Sequence, residues 1–235
     1  MKNNKSFFLI LYVLSSSILF YNCSNDNESE SENAQLKGQF TDSRDNKTYK
    51  WVKLGNQIWM AENLAFKTVS KGGAYNNDEN FIATYGCLYD WPTAKTVAPQ
   101  GWHLPTDEEW TELLFYLKEN GYSYNNGYNG YTGSNGVAKS MGSNNMWNVS
   151  NNIGSVGNSD YAEYINKSGF NALPSGIGLW EEYYRYMGEH SFWWSATISN
   201  YDMPWYYSLS FNKPDLYRGD GYHYEYAFAV RCVKN

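Results

Sequence analysis

Thr106-Asp107-Glu108-Glu109-Trp110-Thr111-Glu112-Leu113-Leu114-Phe115-Tyr116-Leu117-Lys118-Glu119-Asn120-Gly121 carries both of its own boundaries. Thr106 with Glu109 three residues on is a capping box, in which each side chain takes up a backbone N–H that the first helical turn leaves unpaired. Trp110, Leu113, Leu114 and Leu117 recur at i, i+3, i+4 and i+7, so a helix of about fourteen residues has one apolar stripe to bury. Gly121 ends it. Upstream, Asp90-Trp91-Pro92-Thr93-Ala94-Lys95-Thr96-Val97 predicts a second, short helix. Asp90 caps it, and Pro92 sits in the first turn, where a missing N–H is harmless.

Around these helices the chain has strand character. Tyr49–Leu54 and Gln57–Met60 flank Gly55-Asn56, two β-prone runs joined by a loop that favours a type II′ hairpin turn. Residues 121–136 are too rich in Gly and Asn for regular structure, and 144–166 are similarly polar, so both are expected to be long loops. Phe192–Ile198, Trp205–Phe211 and Tyr224–Val233 then read as strands separated by turn residues. No fixed-period repeat is present. Hairpin, two helices, long loops and several strands make an α+β order.

The N-terminus differs from all of this. Lys2 and Lys5 precede an apolar run from Phe7 to Phe20, which is shorter than the roughly 20 residues a spanning helix needs. Residues 1–22 therefore read as a signal peptide. The run leads through Leu19-Phe20-Tyr21-Asn22 to Cys23, and this junction resembles the relaxed lipobox of Bacteroidetes lipoproteins, with Cys23 as the lipidated residue. An uncleaved anchor, or an ordinary signal with an incidental Cys, are the alternatives. Residues 23–35 hold Asp26, Glu28, Glu30 and Glu32 in a polar stretch that cannot bury enough surface to fold, so a disordered acidic tether is expected. Its acidic start resembles signals that send such lipoproteins outward, which gives an expected location lipid-anchored at the outer membrane, with display at the cell surface. Residues 36–235 are the expected domain.

The formal charge of −6 becomes −8 without Lys2 and Lys5, with 16 basic residues against 24 acidic ones. That balance argues against nucleic acid as a partner and against docking on anionic lipid by charge alone. Charged residues make up 18% of the chain and aromatics 19%. Such a mixture suits an exported, loop-rich domain better than a cytosolic enzyme.

Several phrases together resemble one family. They are Trp59-Met60-Ala61-Glu62-Asn63-Leu64, Tyr85-Gly86-Cys87-Leu88-Tyr89-Asp90-Trp91, and Gly101-Trp102-His103-Leu104-Pro105-Thr106 with Glu109-Trp110. Gly169-Phe170-Asn171-Ala172-Leu173-Pro174-Ser175-Gly176, Trp194-Ser195-Ala196-Thr197 and Val230-Arg231-Cys232-Val233 follow. In this order they resemble the Fibrobacter succinogenes major paralogous domain, from about Phe40 to the C-terminus. The resemblance implies a C-type-lectin-like fold: two helices against a small twisted antiparallel sheet, with long irregular loops. It implies that Trp59, Trp102, Trp110 and Trp194 are core. It supplies no settled activity.

Catalytic chemistry finds little support. His103, His190 and His223 show no metal-ligand spacing and are expected to be hydrogen-bonded or exposed. Ser175 lacks a nucleophile elbow. Asp107-Glu108-Glu109 is explained by capping and the helix dipole, and Asp78-Glu79 and Glu181-Glu182 have no partner motif. Asn212-Lys213-Pro214-Asp215 puts a cation where a calcium-dependent lectin places an acceptor, so no calcium site is predicted. The chain is expected not to be an enzyme, with no cofactor, metal or catalytic residue. In lectin-like domains a first-helix Cys often pairs with one in the final strand, so the resemblance makes a Cys87–Cys232 disulfide plausible. This chain lacks the Cys that relatives more often carry just before the Gly-Trp-His-Leu-Pro phrase, which keeps two buried free thiols as the alternative.

What remains is aromatic. In residues 191–235, 13 of 45 are Phe, Trp or Tyr. Alternation sends some of these rings outward, and Tyr and Trp suit both sugar rings and protein contacts. Trp205, Tyr206, Tyr207, Tyr222 and Tyr224 are the expected ligand-binding residues of a non-catalytic envelope module that binds a glycan or a protein. The other expected roles are a structural or adhesive subunit of a surface assembly, and a lectin-like receptor diversified by a retroelement.

Overall fold

β1 (Lys37–Thr41), β2 (Thr48–Leu54) and β3 (Gln57–Met60) form a meander whose second turn is the expected Gly55-Asn56. Gly55 has φ 61° and Asn56 is not among the positive-φ residues, the sign pattern of a II′ turn. These coordinates come from a computed structural model that describes residues 36–68, 72–125, 134–179 and 183–235. The expected signal peptide, Cys23 and tether, the middle of the Gly/Asn loop and Glu181-Glu182 lie outside the described residues.

The chain continues through β4 (Gly72–Gly73), α1 (Ile82–Tyr85), β5 (Leu88–Tyr89), α2 (Trp91–Ala94), β6 (Trp102–His103), α3 (Asp107–Glu119) and α4 (Ala138–Met141). After these come β7 (Ser175–Gly178), β8 (Tyr184–Met187), β9 (His190–Ile198), β10 (Pro204–Ser210), β11 (Tyr217–Gly219), β12 (Phe228–Ala229) and β13 (Val233–Lys234). The result is an α+β fold with two sheets. One runs β1-β2-β3-β13-β6, and the other runs β11-β10-β9-β12-β5-β4 with β7 and β8 attached beside β9. The expected single antiparallel sheet is thus two, and the second is mixed, because β9 pairs in parallel with β12 at Ala229↔Trp193 and with β7 at Gly176↔Ser191.

The two helices read from the sequence form. α3 opens on the capping box: Thr106 Oγ1 accepts from Glu109 N at 3.2 Å, and Glu109 Oε2 accepts from Thr106 N at 2.8 Å. The other oxygen of Glu109 holds His103 Nε2 at 2.7 Å, and His103 Nδ1 reaches Asn235 Oδ1 at 2.7 Å. His103 therefore ties the helix start to Asn235, next to β13. α2 is only one turn, capped as expected by the Asp90 carboxylate accepting from Thr93 N at 3.0 Å.

Both faces of the second sheet are covered. One core cluster joins α3 to the sheets through Trp59, Trp110, Leu113, Phe170, Trp193 and Tyr207. The other, on the far side, gathers Tyr49, Tyr89, Trp102, Phe192, Trp194 and Phe228. Trp59, Trp102, Trp110 and Trp194 are all buried, as the resemblance implied. Among the described residues no helix is long and apolar enough to cross a membrane.

One expectation is corrected. Tyr224–Val233 is not one strand: only Phe228–Ala229 and Val233–Lys234 pair, in different sheets. Between them the chain crosses from sheet to sheet, and its carbonyls at Val230 and Cys232 accept from Leu64 N and Met60 N at 2.8 and 3.0 Å. Cys87 and Cys232 stand as free thiols, the reading kept beside a Cys87–Cys232 disulfide, and both are fully buried in one cluster. Cys87 N donates to Leu64 O at 2.9 Å while Cys232 O pairs with Met60, so the two lie at opposite ends of the Met60–Leu64 segment.

Burial pushes the Cys87 thiol up to about 11 and the Cys232 thiol up to about 12. Neither forms appreciable thiolate near neutral pH, and the thiolate is the nucleophile. Iodoacetamide at about pH 8 should therefore leave both unmodified in the folded protein and label both once it is unfolded. Rapid labelling of the folded protein, or two thiols that appear only after reduction, would contradict this arrangement.

Candidate functional site

Strand alternation sorts the aromatic C-terminal third into two faces. Along β10, Trp205, Tyr207 and Leu209 point one way and Tyr206, Ser208 and Ser210 the other. Cross-strand pairing extends the second face: Tyr206 lies opposite Trp194, Ser208 opposite Phe192, and Ser210 opposite His190. On the other side Ser208 pairs with Tyr217 and Tyr206 with Gly219. A Cβ at Gly219 would stand 2.6 Å from the Tyr206 hydroxyl, so the glycine leaves the room in which that ring lies across β11.

On this face is an open cleft of about 650 Å3. Its floor is Phe192, Tyr206, Ser208 and Ser210, one end is His190, and the walls are Tyr217, Tyr222 and the Asn212–Asp215 turn. The rings are packed edge to face: Tyr206–Tyr222 at 5.0 Å and Phe192–Tyr222 at 5.7 Å. His190 stacks on Phe192 at 5.6 Å, and the row continues into the core through Phe228 to Trp194. Phenol and imidazole edges thus open onto the cleft from rings whose bodies are held by the core. Burial lowers His190 from its ordinary value and raises Tyr206 and Tyr222, so all three stay neutral at physiological pH.

The turn wall is fixed by a carboxylate. Asp215 Oδ1 accepts from Ser134 Oγ at 2.6 Å, Asn135 N at 2.7 Å and Gly136 N at 2.9 Å. Asn135 completes the clamp, donating to Leu216 O at 2.8 Å and accepting from Leu216 N at 2.9 Å. The acidic residue of the Asn-Lys-Pro-Asp stretch is therefore a brace for residues 134–136. Among the described residues no group of three or more His, Cys, Asp or Glu side chains is placed to hold a metal ion.

Of the five expected ligand residues, the cleft gathers two, Tyr206 and Tyr222. Tyr207 is core: its ring stacks on Trp110 at 4.8 Å and its hydroxyl donates to Asp107 Oδ1 at 2.8 Å. Trp205 lies on that same opposite face, covered by the Arg218 guanidinium at 3.3 Å. Arg218 in turn donates through Nε and Nη2 to both Asp107 oxygens at 2.6 Å, bolting the β10–β11 hairpin to the start of α3. Tyr224 is exposed and lies outside the cleft, against His223 at 4.0 Å. The sequence reading missed His190, Phe192 and Tyr217. The signal for them was the cross-strand register, which a single strand pattern does not contain.

Neither the curated proteins nor the solved structures yield a match to this chain. Residues 52–234, which run from the end of β2 to β13 and include every wall of the cleft, match a known domain family. On that match, the chain belongs to the Fibrobacter succinogenes major domain family.

Proposed function

We propose that this protein is a cell-envelope lipoprotein, held through Cys23 at the outer membrane, whose C-type-lectin-like domain binds a glycan in the aromatic cleft. The single observation that carries this reading is the cleft's chemistry. Ring edges from Tyr206, Tyr217 and Tyr222 stand beside the hydroxyls of Ser208 and Ser210 and the Asn212 amide, in a volume within the roughly 300–1,000 Å3 typical of ligand sites. A pyranose presents apolar C–H faces and a rim of hydroxyls, and this mixture answers both. Tyr217 is 58% exposed, so a ring surface is available without rearrangement. The core behind it supplies rigidity, which lowers the ordering cost of binding.

A glycan array probed with residues 36–235 should give a defined set of hits, and Tyr222→Ala with Tyr217→Ala should lose them. Each lost stacking or hydrogen-bonded contact is worth about 1 kcal/mol, so the pair should weaken binding roughly tenfold or more. Trp205→Ala, on the opposite face, should leave the hit pattern intact. Silence across the array, or a double variant equal to its parent, would count against the reading.

A further inference from the structure

A second cleft, of about 530 Å3, shares no residue with the aromatic one. Lys37 and Gln39 of β1 and Lys50 and Val52 of β2 form one side, and Asn166 and Asn171 face them. The register pairs Gln39 with Lys50 and Lys37 with Val52, which puts these four side chains on one face of the sheet. β1 is held there because the Trp51 indole packs directly over Gly38, where a Cβ would lie 2.3 Å from the ring. The opposite wall is pinned too: Asn166 Oδ1 accepts from Asn171 N at 2.9 Å and Asn166 Nδ2 donates to Asn171 Oδ1 at 3.2 Å.

Charge sets this cleft apart. The whole chain carries a formal −6, yet the lining has two lysines and no carboxylate. Neither Lys37 nor Lys50 is in an ion pair among the described residues. Glu62, next to the lining residue Ala61, is turned to the strand backbone, where its Oε2 accepts from Lys50 N at 3.0 Å. Two ammonium groups and three side-chain amides therefore converge on one space, with Ala61 presenting a small apolar surface beneath them.

We propose that this cleft is a separate binding site for an acidic saccharide, one whose ring carries a carboxylate or sulfate. Lys37 and Lys50 engage the anionic oxygens, Gln39 and the Asn pair meet the hydroxyls, and Ala61 lies under the C–H face. The inference does not depend on the aromatic cleft.

Titration calorimetry on the full chain in detergent, with trigalacturonate, a neutral trisaccharide and inorganic phosphate, tests it. Trigalacturonate should bind, and more weakly as salt rises. Lys37→Gln with Lys50→Gln removes two charge-assisted contacts and should weaken that binding about tenfold or more, with circular dichroism unchanged. Glu62→Gln, which removes a neighbouring negative charge, should strengthen it. Tyr222→Ala with Tyr217→Ala should leave it as it was. The site is overturned if the lysine variant binds like its parent, or if the neutral trisaccharide or phosphate binds as well as trigalacturonate. It is also overturned if the tyrosine pair, and not the lysine pair, abolishes binding, or if trigalacturonate does not bind.

Discussion

Replacing Asn63 with leucine should destabilise the fold by about 3–5 kcal/mol, a large part of the roughly 5–15 kcal/mol that holds a domain together. Asn63 Oδ1 accepts three hydrogen bonds, from Arg231 Nε at 3.1 Å, Arg231 Nη2 at 2.7 Å and Trp193 Nε1 at 3.0 Å. Its Nδ2 donates to Tyr85 O at 2.9 Å. Arg231 is 1% exposed and, among the described residues, is in no ion pair, the Glu62 charge acting on it only from a distance; Met60 O, Phe170 O and the faces of Phe170 and Trp193 also surround it. Burial lowers the guanidinium to about 9, which leaves it charged at neutral pH. Leucine at 63 would strand that charge and a buried indole N–H together, and unmet buried polar groups cost more than the bonds themselves contribute.

The sharper expectation concerns the double variant. Arg231→Met alongside Asn63→Leu removes the stranded charge and should recover part of the loss, so the double variant should be more stable than Asn63→Leu alone. Urea unfolding of the three proteins decides this. An Asn63→Leu unfolding free energy within about 1 kcal/mol of the parent's, or a double variant less stable than either single one, would refute the account.

Asn63 and Arg231 also show what a sequence reading reaches. Both sit inside phrases that carry the family resemblance, so their importance was visible, but the bond between them spans 168 residues and left no local trace. α3 was legible because cap, stripe and stop all lie within the stretch from Thr106 to Gly121. β7 was not: nothing in Ser175-Gly176-Ile177-Gly178 signals a strand, and Gly176 has φ 66°, yet tertiary pairing with β8 and β9 makes it one. The candidate site was half legible for a related reason. Period-two alternation identifies two faces of β10 but does not say which is core, and here both are covered, Tyr207 in one cluster and Tyr206 in the other. Only the register with β9 and β11 shows that the Tyr206 side opens into a cleft.

That layering makes the far side of the sheet a foundation for the cleft, and Trp110 is its centre. Its ring stacks on Tyr207 at 4.8 Å and lies 4.6 Å from Trp59 and 6.0 Å from Phe170 and Trp193, with no exposed surface. Trp110→Ala should therefore cost about 3–5 kcal/mol, the range for emptying a large aromatic site that its neighbours cannot collapse to fill. Trp110→Phe should behave very differently. The indole Nε1 has no hydrogen-bond partner among the described residues, so phenylalanine keeps most of the ring contact and drops a buried donor that contributes nothing. Its loss should stay below about 1.5 kcal/mol, as for other near-conservative core exchanges. Thermal and urea unfolding of both variants measure the gap. If alanine and phenylalanine cost the same, the indole N–H rather than the ring is what the core requires, and the packing argument for this layer fails.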